Sequence, residues 1–208
     1  MKVYLFGGAE TELGQVGRLL KLIEQTIKKT GKKQVLHIPF ARIIASEPEW
    51  SGDWYHRHIH LKDVEYLNAS NEADIDKADN PLIFISGGSD KNNLTEKIRS
   101  NPKLWQLVKN ASHIIGESAG AKTLGEYTRS GEINSPIIKG LGIIKHTVIE
   151  PHYTQRNRQK LLEKEMGQSG IKYGIAIDSC TGIEFDLKDF PKKYSKIGEG
   201  LVEIKVQE

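Results

Sequence analysis

Residues 113–121 read His-Ile-Ile-Gly-Glu-Ser-Ala-Gly-Ala, an apolar run that leads directly into a turn of small residues. The apolar run is typical of a buried strand, and Gly116 and Gly120 stand two positions before and two positions after Ser118. Small residues at those positions let the chain turn sharply from a strand into a helix, which leaves the serine hydroxyl exposed. This stretch therefore predicts a strand, a tight turn and a helix in direct succession.

The same alternation of apolar runs and helical patterns extends to both sides of this turn. Apolar side chains recur at helical spacing between residues 13 and 27, and a second helical pattern over 92–107 is interrupted by Pro102. Further strands are expected at residues 3–6, 33–39, 81–86 and 147–149. Strands that alternate with helices predict an α/β protein with a mainly parallel sheet covered on both faces.

The last part of the chain predicts a helix over 157–166 and then more strands. Residues 173–177 and 181–185 are expected to be neighbouring strands around a tight corner that begins at Asp178. Residues 200–206 alternate in polarity, as a half-exposed strand at the edge of a sheet would.

Length and composition narrow the class of protein. A chain of 208 residues with 38% hydrophobic and 27% charged residues is ordinary for a globular protein, and we expect one domain over residues 1–208. The net charge is only +3, and the lysines are spread without interleaved aromatic residues, which argues against a nucleic-acid partner. No apolar run approaches the roughly 20 residues that span a bilayer, so no membrane partner is expected.

The cysteine content and the first residues indicate the compartment. The single Cys180 excludes an internal disulfide and a cysteine-based zinc cluster, and it agrees with a reducing environment. The short apolar run at residues 3–6 ends at the pair Gly7-Gly8, so it indicates a first strand rather than a signal peptide. We therefore expect a cytoplasmic protein.

A serine nucleophile requires a base, and in open parallel sheets the ligand binds beyond the carboxyl ends of the strands. His152 follows the apolar run at 147–149 and stands behind Pro151, which restricts the local backbone. Ser118 and His152 are therefore each expected at a strand end. We predict that His152 is the base for Ser118.

The other histidines are weaker candidates. His37 lies inside a predicted strand, where a packed and hydrogen-bonded role is expected. His56, His58 and His60 alternate within an irregular segment, and spacing of this kind without acidic neighbours favours a solvated strand over a metal site. The irregular segment over residues 44–66 is expected either to cover the edge of the sheet or to line a pocket.

The chain resembles peptidase family S51, which includes peptidase E and the cyanophycinases. The resemblance extends from the first strand to about Phe185, and four signatures carry it in the family's order: Ile-Pro-Phe-Ala at 38–41, Ser-Gly-Gly at 86–88, the turn at 116–121 and Pro-His-Tyr at 151–153. It implies a three-layer α/β sandwich similar to the class I glutamine amidotransferases, with a flavodoxin-like architecture.

The resemblance also implies roles for the residues of the site. Ser118 would be the nucleophile and His152 the base, and the backbone N–H groups of Gly88 and Ala119 would form the oxyanion hole. This chemistry requires no metal and no cofactor.

A substrate site follows from the same resemblance. Cyanophycinase-like members carry arginines four and six residues after the histidine, and Arg156 and Arg158 stand at those positions. Guanidinium groups bind carboxylates bidentately, so Arg156 and Arg158 are expected to bind an acidic group of the substrate.

The third catalytic position departs from the family's pattern. The family usually has a glutamate in the corner after the late strand, and that position is Ser179 here. Asp178 stands directly before it and would orient His152 if the corner is shifted by one residue, which makes Asp178 our prediction. Glu150, two residues before the histidine, is the second candidate. Loss of the orienting carboxylate lowers activity about 10⁴-fold in a serine protease triad.

These observations predict a serine peptidase that hydrolyses small peptides, with dipeptides that begin with Asp or isoaspartate as the expected substrates. The alternative is a member that has lost turnover and binds a small molecule or peptide, which the altered acid position supports. An esterase of the α/β-hydrolase type does not fit, because that fold places its acid before its histidine in the chain, whereas Asp178 follows His152. A monomer and a homodimer both fit a chain of this length.

Overall fold

The computed structural model describes residues 1–42, 54–88, 94–130 and 134–207, and these contain twelve strands and seven α-helices. The strands are β1 (Lys2–Phe6), β2 (Gln34–Ile38), β3 (Glu65–Asn68), β4 (Leu82–Ile85), β5 (His113–Glu117), β6 (Tyr127–Arg129), β7 (Ile137–Lys139), β8 (Thr147–Pro151), β9 (Tyr173–Ile177), β10 (Thr181–Asp186), β11 (Ser195–Gly198) and β12 (Val202–Val206). The helices are α1 (Val16–Thr30), α2 (Trp54–His58), α3 (Glu72–Lys77), α4 (Leu94–Ser100), α5 (Pro102–Asn110), α6 (Ala119–Leu124) and α7 (Gln159–Ser169).

The central sheet has seven strands in the order β11-β10-β1-β5-β4-β2-β3. Strands β1, β5, β4, β2 and β3 pair in parallel, while β10 pairs antiparallel with β1 and β11 pairs antiparallel with β10. The predicted α/β fold with a mainly parallel sheet is confirmed. The parallel strands all end at one edge of the sheet, so their C-terminal loops meet there.

Both faces of this sheet are covered, because successive residues of a strand point to opposite faces. Val3 and Leu5 of β1 pack in a core that includes Leu104 of α5. Tyr4 and Phe6 pack on the other face in a second core, to which α1 contributes Leu19, Ile23 and Ile27. The three layers of helix, sheet and helix therefore follow directly from the alternation along buried strands.

Glycines let helix α6 lie directly against the sheet. A Cβ atom at Gly120 would stand 2.0 Å from the backbone oxygen of Ile85 in β4, and one at Gly116 would stand 2.8 Å from the Cα atom of Ala121. The two glycines of the predicted strand, turn and helix are therefore required by close backbone approach. This predicted succession is confirmed as β5, Ser118 and α6.

The predicted helix over 92–107 forms two helices in the described residues, α4 and α5, while residues 92 and 93 lie outside them. Pro102 is the first residue of α5, where its missing N–H costs no helical hydrogen bond. Asn101 caps the helix by accepting a hydrogen bond from the N–H of Leu104 at 2.9 Å. No helix within the described residues combines the length and the apolar character needed to cross a membrane.

A smaller sheet has the order β12-β9-β8, and α7 packs on it through Leu162 and Met166. The edge position predicted for residues 200–206 is confirmed, since β12 pairs with β9 alone in this sheet. The prediction that residues 173–177 and 181–185 are neighbouring strands is wrong, because β9 lies in the small sheet and β10 in the central one.

The corner between β9 and β10 explains the change of sheet. The N–H of Asp178 donates to the carbonyl of Leu201 at 3.0 Å, next to β12, whereas the N–H of Cys180 donates to the carbonyl of Gly8 at 2.7 Å, just beyond β1. Cys180 has a φ of 52°, which turns the chain within the three residues 178–180. These residues therefore pass from one sheet to the other, and they do so beside the loop that follows β1.

Candidate active site

Ser118 stands between the end of β5 and the start of α6 with φ 50° and ψ −112°. This positive φ is unusual for a residue with a side chain. The Ser118 N–H donates to the carbonyl of Phe6 at 2.9 Å, which ties the turn to the end of β1. The Ser118 hydroxyl lies 3.0 Å from Nε2 of His152, so the two residues singled out from the sequence are in direct contact.

His152 follows β8 directly, also has a positive φ of 53°, and donates its N–H to the carbonyl of Gly7 at 3.1 Å. Its Nδ1 atom lies 2.6 Å from Oε1 of Glu10 and 3.0 Å from the hydroxyl of Ser179. A carboxylate only accepts, so the proton belongs on Nδ1 and leaves Nε2 free to accept from Ser118. This is the tautomer that a histidine base requires.

Glu10 is the carboxylate that contacts His152, and it comes from the loop after β1. Arg156 holds it from the other side, with Nε at 3.0 and 3.2 Å from its two oxygens and a terminal nitrogen at 3.0 Å from Oε2. The hydroxyl of Ser179 donates to Oε1 at 3.0 Å. The hydrogen bond with His152 holds the pKa of Glu10 far below its usual range and outweighs partial burial, which acts in the opposite direction.

Glu10 is not among the site residues predicted from the sequence. The sequence carried only part of the signal, since it places Glu10 two residues after the pair Gly7-Gly8 that follows β1, whereas the position of β1 beside β5 comes from the sheet. Parallel neighbours end at the same edge, so a carboxylate just beyond β1 was a candidate partner for groups just beyond β5.

Asp178 does not orient His152, which corrects the prediction. Its Oδ1 atom accepts from the N–H of Thr154 at 3.0 Å and from the Thr154 hydroxyl at 2.8 Å, and its Oδ2 atom accepts from the N–H of Leu201 at 2.9 Å. These three donors hold the carboxylate away from the histidine. Ser179, at the family's acid position, does contact the ring but carries only a hydroxyl.

Glu150, the second candidate for the acid, is also occupied elsewhere. It is fully buried and accepts hydrogen bonds from Arg158, Arg129 and Lys122. Burial by itself raises the pKa of Glu150, but these three cations outweigh that effect and lower it. Glu150 is therefore an ion-pair centre behind His152 and not its partner.

The two predicted substrate arginines have different surroundings. Arg156 is 43% exposed at its side chain and paired with Glu10, whereas the side chain of Arg158 is 5% exposed and paired with Glu150. Both line the same cavity as Ser118. Neither guanidinium is presented to that cavity without a carboxylate already bound to it.

A cavity of about 340 Å³ opens beside Ser118 and His152, a size that suits a small ligand. Gly88 and Ala119, the predicted oxyanion residues, both line it. The N–H of Gly87 donates to Oε2 of Glu117 at 2.6 Å, which ties the loop that carries Gly88 to the residue before Ser118. A charge imbalance marks the wall: the cations among its described residues are Arg42, Lys122, Arg156 and Arg158, and the carboxylate is Glu117.

Electrostatics favour a neutral His152. Burial lowers its pKa, the hydrogen bond with Glu10 opposes this effect, and the charge of Arg156 adds to the lowering. An imidazole with a pKa below its ordinary value of about 6.5 is unprotonated near neutral pH and can accept a proton.

The remaining histidines have ordinary structural surroundings. His37 is buried, and its Nε2 atom lies 2.8 Å from the hydroxyl of Ser86. His56, His58 and His60 are exposed as expected, but the predicted strand is wrong, because the first two lie in helix α2. Trp54 of that helix lines the cavity. Among the residues described, no group of three or more potential ligands could hold a metal ion.

Comparisons with known proteins agree on one family. The model of peptidase family S51 matches residues 3–191. A cyanophycinase of Synechococcus elongatus is 30% identical over 162 residues, which cover 67% of this chain and 50% of the relative. A cyanophycinase of Geminocystis herdmanii is 29% identical over 138 residues, which cover 59% of this chain and 48% of the relative. The chain thus matches about half the length of these curated relatives.

A solved structure is similar in fold. The crystal structure of a peptidase from an acI-B1 Actinobacterium superposes with a TM-score of 0.64 at 20% identity, and the match covers 97% of this chain and 96% of that one.

Proposed function

This chain belongs to peptidase family S51, and we propose that it hydrolyses small peptides, in particular dipeptides with an N-terminal Asp or isoaspartyl residue, through an acyl-enzyme on Ser118. The observation that carries this proposal is the connected line of contacts from the Ser118 hydroxyl to Nε2 of His152 and from Nδ1 to Glu10. Nucleophile, base and orienting acid are defined by such contacts rather than by position in the sequence.

In the first half of the reaction, the Ser118 oxygen attacks the peptide carbonyl carbon while Nε2 of His152 takes the hydroxyl proton. The negative charge that develops on the carbonyl oxygen is held by the N–H groups of Gly88 and Ala119. The C–N bond then breaks as His152 gives the proton to the leaving amine, and the acyl group stays on Ser118 as an ester.

In the second half, His152 takes a proton from water, the resulting hydroxide attacks the ester carbon, and the proton returns to the Ser118 oxygen as the acid product leaves. Throughout both steps, Glu10 keeps the ring orientation and stabilises the imidazolium. These steps require neither a metal nor a cofactor. The positive φ of Ser118 in a strand-to-helix turn supports its assignment as a nucleophile elbow.

The cations at the cavity support the choice of acidic substrates, because Arg42, Lys122, Arg156 and Arg158 line it, with Glu10 paired to Arg156 and Glu150 paired to Lys122 and Arg158. A carboxylate that enters such a site gains charge-assisted hydrogen bonds. The single, buried Cys180 needs no oxidising compartment, which supports a cytoplasmic location. Ser118, His152 and Glu10 come from one chain, so a monomer contains the whole arrangement.

The alternative of a binding protein without turnover is less well supported. It rested on the hydroxyl residue at the family's acid position, Ser179. Glu10 supplies a carboxylate to the same atom, Nδ1 of His152, at 2.6 Å. Catalysis is therefore the better supported proposal.

The test is hydrolysis of a small set of dipeptides with Asp, isoaspartate or a neutral residue at the N-terminus. We expect the acidic members to be cleaved, and we expect Ser118→Ala to abolish cleavage. Ser195→Ala, at an exposed position in β11, is the matched control and should leave the rates unchanged. Failure of the folded wild type to cleave any dipeptide would contradict the proposal and favour the binding protein.

A further inference from the structure

Five charged side chains form a buried cluster behind the active site, and each is at most 5% exposed. The cluster consists of Lys122, Arg129, Glu150, Arg158 and Glu165. Among the residues that the structure describes, it therefore holds three cations against two carboxylates. Charges this deeply buried are costly unless they are paired and hydrogen-bonded, so a cation of the cluster with unfilled donors favours an anion beside it.

Two cations of the cluster, Lys122 and Arg158, have donors that are not filled by a carboxylate of the cluster. Glu150 receives Arg129 at 2.8 Å and Lys122 at 3.3 Å on Oε2, and Arg158 on Oε1. The side-chain ammonium of Lys122 has three N–H groups, but its contact with Glu150 is its one hydrogen bond in the described residues, and the next carboxylate, Glu165, lies 3.9 Å away. The Nε atom of Arg158 is buried and has no hydrogen-bond partner within the described part of the chain.

Of the three cations in the cluster, the two with unfilled hydrogen-bonding capacity, Lys122 and Arg158, also line the cavity of Ser118. Lys122 stands four residues after Ser118 and donates its N–H to the Ser118 carbonyl at 3.1 Å, so it lies one helical turn beyond the nucleophile. Arg129 and Glu165 do not line this cavity. Lys122 and Arg158 therefore connect the cluster to the substrate space.

Arg156 has a different role in this arrangement. Its guanidinium grips Glu10 with three contacts of 3.0 to 3.2 Å, and Glu10 in turn holds His152. A substrate carboxylate bound by Arg156 would compete with the acid that the base needs. The carboxylate is better received where it does not disturb His152.

We propose that Lys122 and Arg158 form an anion subsite that binds a carboxylate of the substrate, and that Lys122 sets the preference for acidic peptides. The inference rests on the proposed function and names the residues that recognise its substrate. The carboxylate comes either from the side chain of the N-terminal residue or from the C-terminus of the dipeptide. Both sources present the same group to the Lys122 ammonium and the Arg158 guanidinium.

The first experiment compares kcat/KM for Asp-Leu, Asn-Leu and Asp-Leu amide in the wild type, Lys122→Met and Lys122→Arg. Met matches the stem of lysine without its charge, and Arg keeps the charge. We expect Lys122→Met to reduce one of the two kcat/KM ratios, Asp-Leu over Asn-Leu or Asp-Leu over its amide, by about tenfold or more, because a hydrogen bond between charged groups contributes about that factor to binding. A loss of preference for Asp-Leu over Asn-Leu assigns the side-chain carboxylate, and a loss for Asp-Leu over its amide assigns the C-terminal one.

Lys122→Arg should retain most of the preference. Lys103→Met, at an exposed lysine of α5 that pairs with Asp76, should leave both preferences unchanged. The subsite is refuted if folded Lys122→Met keeps both preferences within about twofold. Thermal unfolding of each variant shows whether it is folded.

A binding experiment separates failure of this inference from failure of the proposed function. Titration calorimetry measures the affinities of succinate and of neutral succinamide for the wild-type protein and for Lys122→Met. The measurement does not depend on turnover. We expect the wild type to bind succinate in preference to succinamide and Lys122→Met to lose that preference. If the wild type cleaves no peptide yet binds succinate through Lys122, the subsite stands and the peptidase proposal fails. If the wild type cleaves acidic peptides but does not distinguish succinate from succinamide, the subsite is wrong.

Discussion

Glu10 is the carboxylate beside His152, and its contact with the ring assigns it as the orienting acid. Its Oε1 atom stands 2.6 Å from Nδ1 of His152, whereas the Asp178 carboxylate is taken by Thr154 and Leu201. A carboxylate in contact with Nδ1 fixes the tautomer and stabilises the imidazolium, while one that is held by other donors does neither. Proximity in the sequence to the family's acid position therefore does not decide the role.

Exchanging each carboxylate for its amide separates the two assignments. We expect Glu10→Gln to lower kcat by about 10³- to 10⁴-fold with KM little changed, because the amide no longer holds an imidazolium. Asp178→Asn is the matched control. It should lower the melting temperature, since Asp178 accepts hydrogen bonds from two loops, and it should change kcat much less than Glu10→Gln does. The assignment is wrong if Asp178→Asn has the larger effect on kcat.

The pH profile provides a second readout of the same substitution. Glu10 raises the pKa of His152 against burial and the charge of Arg156, which both lower it. Removing the Glu10 charge takes away the hydrogen-bonded carboxylate that opposes the lowering and leaves only the weaker effect of Glu117 on the pKa of His152. The acid limb of kcat/KM should therefore move to lower pH in Glu10→Gln, and a shift to higher pH would contradict the contact.

At the scale of elements, the close approach of α6 to β4 positions Ser118. The backbone of Gly120 occupies space that a side chain would need, since its Cβ atom would stand 2.0 Å from the carbonyl oxygen of Ile85. No flexible side chain can move aside there, because the obstacle is a strand in the middle of the sheet. Any side chain at 120 must therefore push α6 and the Ser118 turn outward.

The same substitution should have opposite effects at two helical glycines. We expect Gly120→Ala to destabilise the protein by about 3 kcal/mol or more and to lower activity, because backbone must shift. Gly167 in α7 is exposed and has no atom within 4 Å of the Cβ position, so Gly167→Ala should stabilise by about 0.5–1 kcal/mol through helix propensity. Urea unfolding measures both, and a stable, active Gly120→Ala would show that α6 does not lie as close to β4 as described.

At the scale of the whole molecule, the buried charged cluster connects elements of the small sheet with a helix beside the central sheet. Glu150 belongs to β8 of the small sheet, Lys122 to α6 beside the central sheet, Arg129 to β6 and Glu165 to α7. Their ion pairs connect elements that come from distant parts of the chain, and His152 follows β8 by one residue. Stability and the placement of the base therefore depend on the same buried contacts.

Removing the central carboxylate should reveal this dependence. We expect Glu150→Gln to lower the free energy of unfolding by about 3–5 kcal/mol, because it leaves Lys122, Arg129 and Arg158 without their shared partner. Glu163→Gln is the control on α7, where an exposed glutamate pairs with Lys205, and its effect should be small. Chemical denaturation of both variants is the measurement, and equal effects would contradict the importance of the buried cluster.

Much of this protein follows from its sequence alone. Local patterns predicted the parallel α/β sheet, the turn at Ser118 and the break at Pro102, because strand alternation, glycine geometry and a missing N–H act over a few residues. His152 was found because it directly follows an apolar strand, and the Ser118 hydroxyl does lie 3.0 Å from its Nε2 atom.

Tertiary structure decided the rest. Glu10 and His152 are 142 positions apart and meet only because the loop after β1 and the end of β8 come together beyond the strand ends. The corner at 178–180 sends β9 and β10 into different sheets, and Arg156 and Arg158 acquire different roles from the carboxylates they meet. Contact between distant residues depends on how strands are ordered and how loops cross, and no local pattern of side chains carries that information.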